Sequence, residues 1–438
     1  MAIHFASMSE LFTPQVITSV IVIFVIIHMI LGACAYLIML ERKLSAWIQD
    51  RVGPNRVGPL GLLQPLADGL KFILKEEFFP RGADRWLFLL APAAALLPAL
   101  ISFAIIPWAG VLDTSTIPFA ATLGIDGHMV SIIGADVNIG LIFLVAVTAM
   151  GIYGVVLGGW ASNSKYSFFG ALRASAQMVS YEIPMGLALL AVVLYAGSIM
   201  PSELVAAQVE GQWNILHLPI AAVIFYTCML AENNRAPFDL AEAESELVGG
   251  YHTEYSSMKF ALFFLAEYAH MIIGSAFFVV LFLGGWSINP LFGAEPFVGS
   301  SFLMILLQFG VMSGKIFLII CLTMAIRWTL PRFRFDQLMR LAWEGMIPTA
   351  MVVVLAVSVM VFFGAQDWMW AMSLGLIAII WLVHPHMPKQ ADPNHKVPMI
   401  GSRFFPAKDA DVITRPTDPI ALTDSPVPEH SSGQISMH

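Results

Sequence analysis

The stretch AENNRAPFDLAEAESELVGGYHTEY, from Ala231 to Tyr255, carries six carboxylates (Glu232, Asp239, Glu242, Glu244, Glu246, Glu254) and one cation, Arg235. Carboxylates crowded in this way repel one another, which raises their proton affinity and suits them to exchanging protons. If Glu242 and Glu246 share the face of a helical turn, ~5 Å apart in an effective dielectric of ~20, they repel by roughly 3 kcal/mol, about 2 pKa units. The plainer alternative is a solvated acidic loop that docks a basic partner. Two further acids, Glu182 and Glu267, lie inside apolar runs, where water is not freely available and loop solvation is no explanation. Lys315 also sits deep in such a run, and is expected to face the bundle interior, toward a carboxylate or water.

The elements that must position these groups are membrane helices. The chain of 438 residues is 58% hydrophobic and 12% charged, with a mean hydropathy of +0.78. A bilayer core about 30 Å thick needs roughly 20 apolar residues per helix. Apolar spans run at about Val16–Leu40, Leu87–Gly110, Val137–Trp160, Phe168–Ser198, Ile215–Ala231, Tyr255–Trp286, Ser301–Leu330 and Met346–Gly364, with a shorter ninth at Trp368–Val383. The short alternating segments of a β-barrel are absent from the sequence. The expected fold is therefore an all-α polytopic membrane protein with eight core helices and an accessory ninth. Residues 1–364 form the membrane body, 365–384 the accessory helix, and 385–438, rich in Pro, Asp, Ser and His, a mostly disordered tail. His384, His386 and His395 fall in that tail and read as solvated.

Cations fall in alternate connections. Arg42, Lys43, Arg51, Arg56, Lys71, Lys75, Arg81 and Arg85 lie between or beside the first two spans, and none lies in Val111–Asp136. The alternation continues along the chain, a positive-inside pattern that predicts the N-terminus outside and the acidic stretch and C-terminus in the cytoplasm. The first cation, Arg42, follows the first span, so that span reads as a retained anchor. Cys34, Cys228 and Cys321 stand singly, with no CxxC pair, and read as small packing residues. No glycine-rich nucleotide fingerprint occurs, so any redox cofactor must sit in another subunit or diffuse in the membrane. Nothing in the sequence calls for nucleic acid.

In the first loop, ERKLSAWIQDRVGPNRVGPLGLLQPLADGLKFILKEEFFP, the Gly53-Pro54 and Gly58-Pro59 pairs force turns. From Gly61 onward Leu62, Leu63, Leu66, Leu70, Ile73 and Leu74 form one apolar stripe, with Asp68, Lys71 and Lys75 off it. This segment is too charged to span and should lie along the interface, either as a plain anchor or as a lateral gate for a lipid-soluble ligand.

The block from Ala35 to Pro80 resembles the first motif of the H subunit (subunit 1) of proton-pumping NADH:quinone oxidoreductase, respiratory complex I. GALRASAQMVSYEIPMGLALL, AENNRAPFDLAEAESELVGGYHTEYSSMKFALFFLAEY and PRFRFDQLMRLAWEGMIP match further motifs in the same order, so the resemblance covers roughly Ala35–Pro348. It implies eight transmembrane helices in a bacterial inner membrane, a tunnel by which quinone reaches the hydrophilic arm, and transmission of its reduction energy to proton pumping. Quinone would be the substrate, and the chain would hold no cofactor of its own. Flavin (FMN) and iron–sulfur clusters would belong to partner subunits. Partners would include the quinone-site subunits of the peripheral arm, the small membrane subunits beside the antiporter-like chain, and the lipid bilayer.

Carried over by position, the resemblance makes Arg42, Gln49, Arg51 and Pro54 tunnel-lining or docking residues and Phe238 an aromatic wall for quinone. It makes Glu182, Glu232, Asp239, Glu242, Glu244, Glu246 and Glu267 an acidic path toward the antiporter-like subunits, and Lys315 suits a coupling role. The ninth apolar segment and the tail lie outside the family pattern. A related subunit of membrane-bound hydrogenases is a more distant match. A stand-alone cation/proton transporter would be expected to show an internal repeat or paired broken helices, and no clear repeat is present.

Overall fold

The computed structural model describes residues 13–116, 127–242, 244–289 and 299–383. The tail histidines and residues 384–438 lie outside them. Helix α1, Pro14–Ile48, starts where the Thr13 hydroxyl accepts from the Val16 N–H and Pro14 pre-sets the first turn. Its 35 residues rise about 52 Å, so its last turns, with Glu41 and Arg42, extend past a hydrocarbon core of about 30 Å. The chain then turns through Gly58 and Gly61, both at positive φ, into the amphipathic α2, Gln64–Leu74.

Asp84 caps α3, Arg85–Ser102, by accepting from the Trp86 and Leu87 amides. A small antiparallel ribbon follows, β1 Val111–Asp113 against β2 Met129–Ser131, with Leu112 opposite Val130. These six residues fall in a stretch that hydropathy marks only as a connection between spans. Next come α4 (Gly140–Ala149), α5 (Gly151–Ala161) and α6 (Lys165–Ala196), the last ending on Gly197 in the left-handed region. The remaining helices are α7 (Pro201–Glu210), α8 (Pro219–Glu232), α9 (Ser257–Phe282), α10 (Phe302–Thr329), α11 (Phe335–Phe362, with a π-helical turn at Leu341–Met346) and α12 (Met369–Val383).

Among the described residues, seven helical segments are long and apolar enough to cross a membrane, with α4 and α5 counting as one. The fold is all-α and polytopic, as expected. The fifth and ninth apolar segments become the shorter helices α8 (14 residues) and α12 (15 residues). Helix α8 is short because it starts late: Asn214–His217 forms a separate turn, Leu218 (φ −125°, ψ 54°) breaks the run, and Pro219 opens the helix, which ends at Asn233 and Asn234, the latter at φ 48°.

Helix α9 is the most enclosed of these spans, with 72% of its apolar window buried, whereas α1 has 17%. The α9 neighbours include α1, α3, α8 and α10, and α3 packs tightly on α5. At Gly154 an added Cβ would meet the Ala95 backbone nitrogen at 2.4 Å, so only glycine lets α5 approach α3 this closely. Apolar side chains such as Phe24, Leu303 and Leu318 point outward, as expected of surfaces that meet lipid.

Candidate functional site

The loop between α8 and α9 folds its one arginine inward. Arg235 is 3% exposed, 2.8 Å from the Glu267 carboxylate of α9. Its guanidinium also lies 4.8 Å from the Tyr268 ring centre and 5.6 Å from that of Phe264. Burial opposes the guanidinium charge, but Glu267, with Tyr268, Glu41 and Glu242 behind it, outweighs burial and raises its pKa, so Arg235 stays a cation. The Tyr251 hydroxyl donates to the other Glu267 oxygen at 3.2 Å.

Glu242 lies 4.0 Å from His252. Burial, and next the charge of Glu267, push its pKa up to about 7. Asp239 is buried, accepts from the Glu242 amide at 3.3 Å and pairs with Arg332 at 2.8 Å. Burial and Glu242 raise the Asp239 pKa against the pull of Arg332. The loop closes through Gly250 (φ 62°), where any Cβ would lie 1.7 Å from the Ala241 carbonyl oxygen.

The expected Glu242–Glu246 pair on one helical face does not form. The helical turn is Glu244–Leu247, which starts beyond Glu242. Glu246 turns outward, its side chain 52% exposed, and pairs with Arg173 of α6. The side chain of Glu244 lies outside those described. The carboxylate that acts on Glu242 is Glu267, brought in from α9, a long-range partner that sequence spacing could not show.

A buried carboxylate that the motifs do not single out is Glu41, near the end of α1 and 5% exposed. It accepts from the Tyr268 hydroxyl at 2.6 Å and pairs with Arg327 of α10. Its only sequence signal is an acid at the end of an apolar run.

Deeper in the bundle, Glu182 of α6 and Glu232 of α8 line one small cavity of about 20 Å³ together with Tyr181 and Cys228. Glu232 also lines a second, of about 10 Å³, with Thr148, Asn233 and His270. Lys315 lies elsewhere. Its ammonium donates to the carbonyl oxygens of Leu283, Gly285 and Ser287 just past the end of α9, and sits 4.1 Å from the Trp213 ring centre. Along α9, Glu267 to Leu283 spans about 24 Å at 1.5 Å per residue, so Lys315 does not gather with the acids.

A larger cavity, about 460 Å³, opens between α1, α2 and the start of α9. Arg42, Asp68, Lys71 and Lys75 stand on its wall, with Met39, Phe72, Phe260 and Phe264 among the apolar groups. The Arg42–Asp68 pair, at 2.7 Å, ties α2 to α1. The Ser257 hydroxyl reaches the Phe72 and Lys75 carbonyls, at 2.9 Å each, and ties the other end of α2 to α9. Leu66, Leu70, Ile73 and Leu74 are exposed on the far face of α2, where an interfacial helix would meet lipid.

Of the first-loop residues singled out from sequence, Arg42 lines this cavity, and Gln49, Arg51 and Pro54 do not. Arg51 donates to Gln49 at 2.7 Å on an exposed turn, and the Pro54 carbonyl packs against Gly61. Phe238 is buried between Tyr181 and Phe333, with ring centres 5.5 and 5.4 Å away, also off the cavity wall. Phe264 bridges the two regions: it lines the cavity and lies under the Arg235 guanidinium.

Residues 21–358 match the profile of a family described as NADH dehydrogenase. The chain belongs to the H-subunit family of NADH-quinone oxidoreductase. It is 46% identical over 341 residues to an H subunit of NADH-quinone oxidoreductase from Cytophaga hutchinsonii, covering 77% of this chain and 93% of the relative. It is 48% identical to an H subunit of the same enzyme from Geobacter metallireducens, covering 75% and 92%. It is 43% identical to that of Leptospira biflexa, covering 78% and 94%. A member of this family is a membrane component of an enzyme complex and not a catalyst alone. Other subunits of that complex are its partners. The matched region ends at residue 358, before α12.

Proposed function

We propose that this chain forms the membrane side of a quinone-access tunnel and couples quinone reduction to proton translocation through its buried acids. The observation that carries the reading is Phe264, which is at once cavity wall and neighbour of the Arg235–Glu267 pair. An apolar chamber bordered by an interfacial helix suits a lipid-soluble substrate. One aromatic ring then separates that substrate from a cluster whose protonation responds to nearby charge.

In this reading the chain sits in a bacterial inner membrane with its N-terminus outside, and the first loop, acidic loop and C-terminus lie in the cytoplasm. Those loops dock the quinone-site subunits of the peripheral arm, which hold the flavin and iron–sulfur clusters. Residues 1–364 form the membrane body, α12 is an accessory helix and the tail a cytoplasmic extension. Glu267 and Glu242 receive the first proton shift, Asp239 modulates them, and Glu232 and Glu182 carry it inward. Glu246 belongs to the rim of the loop, and Lys315 fixes the far end of α9.

The test is Phe264→Ala in the assembled complex. Quinone reductase activity should fall while electron transfer from NADH to a soluble artificial acceptor is retained. Quinone kinetics and proton pumping equal to wild type would reject this placement of the tunnel.

A further inference from the structure

Between Glu267 and Glu232 stands a residue that the acid path does not use. His270 lies three positions after Glu267 on α9, so the two side chains share a face about 5–6 Å apart at Cβ. The ring packs against Gly151, where an added Cβ would meet Nε2 at 2.8 Å. Nε2 lies 3.2 Å from the Ala95 carbonyl oxygen. A carbonyl only accepts, so Nε2 carries the hydrogen, and in the neutral ring Nδ1 keeps its lone pair.

The second small cavity places His270 beside Glu232, Asn233 and Thr148. At about 10 Å³ it is close to the space of one water. The Asn233 amide nitrogen is buried there without a hydrogen-bond partner among the described residues, and a water between Asn233, Thr148 and Glu232 would satisfy it. The first cavity continues from Glu232 to Glu182.

We propose that His270 is a proton-relay residue linking the Glu267–Arg235 pair to Glu232, with one water in the adjoining cavity. The inference rests on reading the buried acids as a proton path. A Glu267 carboxyl gives its proton to Nδ1, leaving a carboxylate and an imidazolium. The imidazolium passes a proton through the water to the Glu232 carboxylate, which becomes a carboxylic acid as the ring returns to neutral. Nε2 keeps its hydrogen toward Ala95 throughout, so the proton enters and leaves at Nδ1, which turns from Glu267 to the water between the two transfers.

The experiment uses the assembled complex in inverted membrane vesicles, comparing wild type with His270→Gln, Thr148→Val and Glu232→Gln. Glutamine can still donate to Ala95 but cannot carry the proton. Thr148→Val removes a hydrogen-bond partner of Glu232 and of the water without touching the ring. His270→Gln and Thr148→Val should both keep the NADH-to-artificial-acceptor rate and lose proton pumping per NADH oxidised. If Glu232→Gln stops pumping while the other two pump like wild type, the relay through His270 is wrong and the acid path stands. If all three pump like wild type, the acid path falls and the relay with it. Should His270→Gln fail to assemble, the Thr148→Val result alone decides: normal pumping overturns the relay.

Discussion

The Tyr268 hydroxyl donates to Glu41 at 2.6 Å, and Arg327 holds the same carboxylate from the other side, so one buried acid joins α9, α1 and α10. Removing one partner of a buried ion pair typically costs roughly 3–5 kcal/mol, while a single lost hydrogen bond costs about 1 kcal/mol. Arg327 keeps 20% of its side chain exposed, which places Glu41→Gln toward the lower end of that range. Glu41→Gln should therefore lower the thermal stability of the purified complex clearly more than Tyr268→Phe. Equal melting of both variants and wild type would show that the junction is not stabilising.

Glu242 supplies a pH prediction. With its pKa raised from 4.5 to about 7, the folded protein binds a proton there more tightly than the unfolded chain does. Its contribution to stability is therefore fully present below about pH 4.5 and is lost as pH rises through about 7. A protonated-carboxyl infrared band should titrate near pH 7 and disappear in Glu242→Gln. A band that persists unchanged in the variant belongs to another acid.

Glu246 gives the contrasting case. An exposed pair such as Arg173–Glu246 is worth about 0–1 kcal/mol. Glu246→Gln should assemble and reduce quinone close to the wild-type rate, whereas Glu267→Gln, which leaves Arg235 buried without its carboxylate, should lose quinone-linked activity. The reverse ranking in assembled complexes would place the proton chemistry at the loop rim.

The two first-loop arginines should also separate. Arg42→Ala removes a cavity-wall cation and frees Asp68, so the KM for quinone should rise. Arg51, exposed and bonded to Gln49, should act through docking of the arm, so Arg51→Ala should lower the amount of intact complex with a smaller change in KM. Activity staining of native gels beside quinone titrations distinguishes the two effects.

Helix α12 buries Met369 completely, and its Ser373 hydroxyl donates to the His217 carbonyl at 2.9 Å. Ending the chain after Gly364 should expose that seat and reduce the yield of assembled complex. A reporter fused at His438 should be active on the cytoplasmic side. Activity only on the outer side would reverse the orientation assigned to α12.

The helical class is legible in the sequence because apolar runs of spanning length leave few alternatives. The interfacial helix is legible because Asp68, Lys71 and Lys75 gather on the face opposite its apolar stripe. The partners of the acids are not. Glu41 meets Arg327 across 286 positions, and Arg235 finds Glu267 only because Asn234 and Pro237 turn the loop back on the bundle. Pair spacing within the loop suggests Glu246 for Glu242, whereas tertiary packing supplies Glu267. Lys315 is legible as an inward-facing cation, but the carbonyls that receive it come from where α9 unwinds, a detail set by packing.

Helix α9 also spans the distance between two separate regions of the bundle. Phe264 near one end touches the cavity, and the carbonyls from Leu283 to Ser287 at the other end grip Lys315 on α10. Nineteen residues of uninterrupted rise separate Phe264 from Leu283, about 28 Å. With most of its span enclosed by neighbours, such a rod has little room to bend. The cavity wall at Phe264 and the carbonyls that hold Lys315 of α10 therefore belong to one stiff element.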